Sequence, residues 1–141
     1  MLEKVSEVIF PKFILSLYIA SCIMNVEELH KYCLSIKGAS ESFPFDDVSL
    51  VLKVLDRMFA LIPLDNPELS VSLKCDPEKA IELRERYTSV EPAYHFNKKY
   101  WNTIYPNGDM NDEEVKFWIR HSVDEVVKKL PKKVRDEYCQ D

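Results

Sequence analysis

The spacing of apolar and polar residues divides the chain into eight predicted elements. Asn25 followed by Glu28 has the form of a capping box, and Val26, Leu29, Cys33 and Ile36 recur at helical spacing until Gly38 ends the pattern. After a loop at 42–47, Val48, Leu50, Leu52 and Val54 alternate with Ser49, Val51, Lys53 and Leu55 as in a strand. Asp56-Arg57 separates this run from the apolar run 58–62, a length suited to a tight hairpin. Residues 63–67 make the next turn, and Leu69, Val71, Leu73 and Cys75 alternate with Ser70, Ser72 and Lys74, which predicts a strand with one apolar and one polar face. Asp76 and Pro77 suit the N-cap and first position of a second helix, with Ala80, Leu83 and Tyr87 on its apolar stripe. The segment after Pro92 reads as two short strands around Asn97-Lys98-Lys99, closed by the Pro106-Asn107-Gly108-Asp109 turn. Asn111 and Glu114 cap a last helix whose Val115, Trp118, Ile119, Val123, Val126, Val127 and Leu130 form a continuous stripe ending before Pro131. The order α-β-β-β-α-β-β-α implies an α+β domain, a two-layer antiparallel sheet with helices on one face.

Composition narrows the function classes. At 141 residues one domain is expected; 46% hydrophobic residues can fill its core and 30% charged residues can solvate its surface, so neither a disordered chain nor a membrane bundle fits. Gly38 and Gly108 are the only glycines, which excludes the Gly-rich loops that let backbone amides approach phosphates. The cysteines Cys22, Cys33, Cys75 and Cys139 have no CxxC spacing, so neither a disulfide framework nor a zinc knuckle is indicated and a reducing cytoplasm is expected. His30, His95 and His121 fall in no metal-ligand spacing, and no GxSxG turn is present; no enzymatic activity, metal or cofactor is expected. Cys75 just before a helix N-terminus has two readings, a thiolate paired with His95 or a structural cysteine on the face shared with Leu73.

Residues 1–23 stand apart as an N-terminal extension, followed by a domain at 24–135 and a tail at 136–141. The apolar run from Phe13 to Met24 is short of the roughly 20 residues a membrane-crossing helix needs. Ile19-Ala20-Ser21-Cys22 has the pattern of a lipoprotein cleavage site acylated at Cys22, but Glu3, Glu7, Pro11 and Lys12 spoil the leader. A start at Met24 or an extra helix on the domain are the other readings, and a membrane partner is not expected.

The net charge of −5 argues against indiscriminate adhesion to nucleic acid, so any such binding must be local. Charge is segregated: residues 25–91 hold eight cationic against thirteen acidic side chains, 94–105 two against none, and 115–135 seven against two. Lys98 and Lys99 at a hairpin tip lie beside Tyr94, His95, Tyr100, Trp101 and Tyr105, combining cations for phosphates with rings on which bases stack. Lys128, Lys129, Lys132, Lys133 and Arg135 extend the cationic set, and Asn97 and Asn102 are candidates for base edges. Each also has a structural reading, as strand aromatics packed on a helix or lysines complementing a helix C-terminus. A protein partner or second copy is the alternative, through an apolar patch of Phe43, Phe45, Val51 and Leu55.

Five motifs in order, NVEELHKYCLSIKGASESFPF, MFALI, LKCDPEKAIELRERY, PAYHFNKKYWNT and HSVDEVVKKLPKK, resemble the MmcQ/YjbR family from Met24 to Arg135. The resemblance implies a fold like CyaY-like and type III secretion-chaperone-like domains. It also implies DNA binding through a double-wing arrangement. A chaperone-like adaptor is the second role this likeness suggests. Family members often carry His before Trp-Asn-Thr, where this chain has Tyr100.

Overall fold

The computed structural model describes residues 24–140. Its elements in chain order are α1 (Val26–Leu34), β1 (Ala39–Ser42), β2 (Ser49–Val54), β3 (Arg57–Pro63), β4 (Val71–Lys74), α2 (Pro77–Arg86), β5 (Val90–Pro92), β6 (Trp101–Ile104), α3 (Asp112–Val127) and α4 (Lys132–Cys139). All strands join one antiparallel sheet in the order β1-β2-β3-β4-β6-β5. The predicted order holds, with β1 and α4 in addition.

The helix starts follow from side chains seen in the sequence. Asn25 with Glu28 and Asn111 with Glu114 form reciprocal capping boxes, and Asp76 accepts from the Glu78 and Lys79 amides ahead of Pro77. Gly38 takes the left-handed φ of 74° that follows α1. Gly108 is required for a different reason: a Cβ there would come within 2.4 Å of the Ser89 Cβ.

The core lies between the sheet and α3. Leu52, Phe59, Ile62, Leu73 and Ile104 meet Val115 and Ile119, all essentially inaccessible to solvent. A bulge in the β2–β3 pairing, between Leu52 and Lys53, leaves Phe59 without a direct partner. Ser122, fully buried on α3, repairs it by donating to the Phe59 carbonyl at 2.6 Å and accepting from the Lys74 N–H at 2.9 Å.

Several boundaries differ from expectation. The β2–β3 turn is Leu55-Asp56 rather than Asp56-Arg57, with φ of 50° and 64° at the two turn residues. These signs are those of a two-residue hairpin whose twist matches its strands. The strand before Asn97-Lys98-Lys99 lies earlier, at Val90–Pro92, leaving 93–100 as a connecting loop. β1 reads Ala-Ser-Glu-Ser and is held by backbone pairing with β2, so it has no apolar alternation to reveal it. α4 runs on through 136–139, in what the sequence presents as a tail; Tyr138 donates its hydroxyl to the Lys37 carbonyl, and Lys37 returns its ammonium to the Tyr138 and Gln140 carbonyls. Cys22 and the other readings of residues 1–23 lie outside the described residues. No helix among the described residues is long and apolar enough to cross a membrane.

Candidate functional site

Sheet register brings cations from four segments to one end of the domain. Lys74 closes β4 opposite Trp101 at the start of β6, and the 93–100 loop joins β5 to β6 at this same end. The β2–β3 turn with Arg57 lies there too, and α3, pinned through Ser122 to Phe59 and Lys74, delivers Lys128 and Lys129 beyond its last turn. The ammonium of Lys74 has its pKa lowered by partial burial and by the charges of Lys129, Arg57 and Lys128, with Glu125 opposing. Lys74 and Arg57, which the sequence reading assigned only to a strand and a turn, are therefore part of the cationic end.

The 93–100 loop is held from behind by α2. Arg84 donates from Nε to Asn102 Oδ1 at 2.6 Å and from Nη2 to the Lys98 and Trp101 carbonyls. Asn102, 1% exposed, also donates to the Ala80 carbonyl at 3.2 Å. Its amide is spent on positioning the loop, so its place as a base-edge contact is corrected. Asn97 caps a local turn by accepting from the Lys99 N–H at 3.0 Å.

At the tip, Lys98 and Lys99 are exposed and lie over the rings of Tyr94, at 4.9 Å, and Tyr100, at 5.5 Å. Tyr94 and His95 are exposed; Trp101 is half-buried and stacked on Phe96 with ring centroids 4.8 Å apart. Trp101 thus has a ring partner within the protein, whereas Tyr94 is 63% exposed.

The C-terminal cations divide into two groups. Lys128 is paired with Glu125 at 2.9 Å and Lys132 with Asp136 at 2.7 Å. Arg135 donates to the Lys128 and Leu130 carbonyls, satisfying backbone groups just after α3. Lys129 and Lys133 are exposed and make no ion pair among the described residues.

Two other candidate sites are corrected. The Cys75 thiol is buried and is pushed up to about 12, first by burial and then by the Asp76 and Glu125 charges, which is the reverse of an activated thiolate. The imidazole next to this segment is His121, which accepts at Nε2 from the Asp76 N–H at 3.2 Å; burial lowers its pKa, in keeping with a neutral ring. The proposed apolar patch does not form, because Val51 is fully buried and Leu55 sits in the β2–β3 turn, at the other end of β2 from Phe45. Among the described residues no group of three or more His, Cys, Asp or Glu side chains could hold a metal ion.

The second feature is a groove of about 640 Å³ on the sheet face opposite the helices, lined in part by Ser72, Thr103, Glu91 and Tyr105. Tyr105 donates to Glu91 at 2.7 Å, and Ser72 and Thr103 share a hydrogen bond of 2.9 Å. The alternation of β4 marked this face as polar, but the cavity arises from loops whose positions the sequence pattern does not specify.

The YjbR family model matches residues 34–124. The Escherichia coli K12 protein YjbR, described as uncharacterized, is 34% identical over 112 residues, covering 79% of this chain and 95% of that protein. YbdF of Escherichia coli O157:H7, also described as uncharacterized, is 28% identical over 120 residues and is covered over 98% of its length. Among solved structures, Deinococcus radiodurans protein DR2400 superposes with a TM-score of 0.77 at 38% identity, over 84% of this chain and 91% of that one. A Pseudomonas syringae protein shares the fold, with a TM-score of 0.64 at 24% identity, over 73% of this chain and 99% of that one.

Proposed function

The chain belongs to the YjbR family, and from that premise and its charge layout we propose that it binds DNA, contacting the phosphate backbone with the Lys74 end of its sheet. The observation that carries this reading is the placement of Lys74, Arg57, Lys128 and Lys129 at one end of the sheet, with Glu125 paired to Lys128 and Lys129 left without an ion pair among the described residues. Like charges gathered around a partly buried ammonium raise the local potential, and a polyanion relieves it by bringing phosphates to the lysines while counterions leave. Lys98 and Lys99 add two exposed cations, and Tyr94 offers an exposed ring beside them.

With Asn102 turned inward, the surface offers backbone contacts rather than base-edge readout, so binding is weakly dependent on sequence. The net charge of −5 sets the orientation, since the remaining surface repels the same polyanion. The test is a fluorescence-anisotropy titration of a labelled duplex at low salt. Wild type is expected to bind in the micromolar range or weaker, about 10⁻⁶ to 10⁻⁴ M. Lys98→Glu with Lys99→Glu should weaken it at least about tenfold while leaving thermal stability nearly unchanged. Unaltered affinity would remove the loop from the contact surface, and an absence of wild-type binding would end the proposal.

A further inference from the structure

The groove on the open sheet face has a chemistry opposite to that of the Lys74 end. Asp46, Asp65 and Glu91 line it, no Lys or Arg does, and the basic groups beside it are the lining His95 and the Lys98 ammonium over the Tyr94 ring at the rim. Glu68 adds to this negative field: the Tyr105 phenol is pushed up to about 12 by its hydrogen bond to Glu91, then by burial and by the Glu91 and Glu68 charges. Asp46 keeps its charge at the groove edge, because the Val48 amide, the Ser49 hydroxyl and the Ser49 amide hold its pKa down.

The walls and floor supply the remaining recognition groups. Phe45 at the rim is 65% exposed, an apolar ring with no ring partner among the described residues, whereas Tyr94 already receives Lys98 on its face. Ser70 lines the groove, is only 2% exposed and makes no side-chain hydrogen bond among the described residues. It stands one residue before Val71 and two before Ser72; Val71 and Leu73 pack into the core, so alternation turns Ser70 and Ser72 to the groove. Unlike the enclosed Ser42 and Ser89 hydroxyls, that of Ser70 keeps a small surface toward the groove and is open to hydrogen-bond an occupant.

We propose that this groove binds a small aliphatic diamine or polyamine, with its ammonium groups held by Glu91 and the Asp46–Asp65 side and its methylenes against Phe45 and Leu61. The volume is that of a small-molecule site. A peptide cannot add as a strand on the floor strands β3, β4 and β6, which are paired on both sides; the free edge is the three-residue β5 at the Glu91 margin, too short to seat an extended peptide along the groove. Among the described residues these carboxylates form no cluster that could hold a metal ion, and the register sets Glu91 on β5 across β6 and β4 from the β3 end that leads to Asp65, an arrangement for a ligand with a charge at each end.

Isothermal titration calorimetry with hexamethylenediamine, and with hexanediol as its neutral counterpart, tests this. The diamine should saturate one site and the diol should give no binding heat. Glu91→Gln preserves an acceptor for the Tyr105 hydroxyl but removes the charge, and Asp65→Asn does the same at an exposed position; each should weaken the diamine about tenfold, the equivalent of one charged contact. Glu85→Gln, an equal change of net charge on exposed α2, should leave binding unaltered. The proposal is overturned if the diamine gives no saturable heat, if the diol binds equally well, or if Glu85→Gln weakens binding as much as Glu91→Gln.

Discussion

Replacing Asn102 by alanine separates the structural role of the Trp-Asn-Thr segment from a role in contacting nucleic acid. The side chain is 1% exposed and makes two hydrogen bonds, one from the Arg84 guanidinium at 2.6 Å and one to the Ala80 carbonyl at 3.2 Å. A hydrogen bond to a charged group contributes about 1.5–3 kcal/mol and a neutral one about 1 kcal/mol, so Asn102→Ala should cost about 3 kcal/mol. With a urea dependence of about 1.5 kcal/mol per molar, the unfolding midpoint followed by circular dichroism falls by roughly 2 M. The thermal midpoint falls by roughly 10 °C. Because Arg84 also holds the Lys98 and Trp101 carbonyls, amide hydrogen exchange at 98–102 should accelerate in the variant. Arg84→Met removes the same contact from the other side, so the double variant should be less destabilised than the sum of the singles by more than about 1 kcal/mol. A loss below about 0.5 kcal/mol for Asn102→Ala, or strict additivity with Arg84→Met, would refute the reasoning.

Other expectations follow from the same geometry. Leu55 and Asp56 both hold positive φ, which suits Asn and Gly better, so Leu55→Asn with Asp56→Gly should stabilise the domain by about 1 kcal/mol in urea titration; a loss of stability would contradict the turn assignment. The Ser89 hydroxyl beside Asp109 and the Thr88 and Ser89 amides bring its carboxyl down to about 2, the two amides being at full hydrogen-bond geometry. The unfolded chain then takes up the proton first, at about pH 4, so this contribution is complete above that pH and is lost as pH falls toward about 2. Asp109→Asn should lose less stability over that window, and an acid-unfolding curve parallel to wild type would count against it. Iodoacetamide on the native protein should modify exposed Cys139 and leave buried Cys33 and Cys75 intact, read by peptide mass spectrometry; labelling of Cys75 would revive the reactive-thiol reading.

What the sequence revealed tracks what its physics encodes locally. Capping boxes at Asn25 and Asn111, the Asp76-Pro77 start and the alternation around Leu73 depend on a few adjacent residues, and each appears where expected. β1 was not legible because an edge strand built of Ala, Ser and Glu is stabilised by backbone pairing rather than by a buried stripe. The one-residue displacement of the β2–β3 turn has a similar cause: Leu55 continues the apolar run in sequence but takes a turn conformation.

The candidate site was partly legible for the same reason. Lys98 and Lys99 at a loop tip are a local pattern, and they are exposed as expected. Whether Asn102 faced out or in depended on Arg84, eighteen residues earlier on another element. Lys74 joined the cationic end only through the packing of α3, and the acidic groove required three loops to meet around the polar sheet face. No short-range period reports such contacts.

The central claim is that the Lys74 end engages phosphates, and the salt dependence of duplex affinity tests it most directly. With about four phosphates neutralised, a plot of log K against log salt concentration should have a slope of about −3.6, and Lys98→Glu with Lys99→Glu should make it shallower by about 2. A flat plot for wild type, or a slope unchanged by the double substitution, would contradict the assignment of this surface.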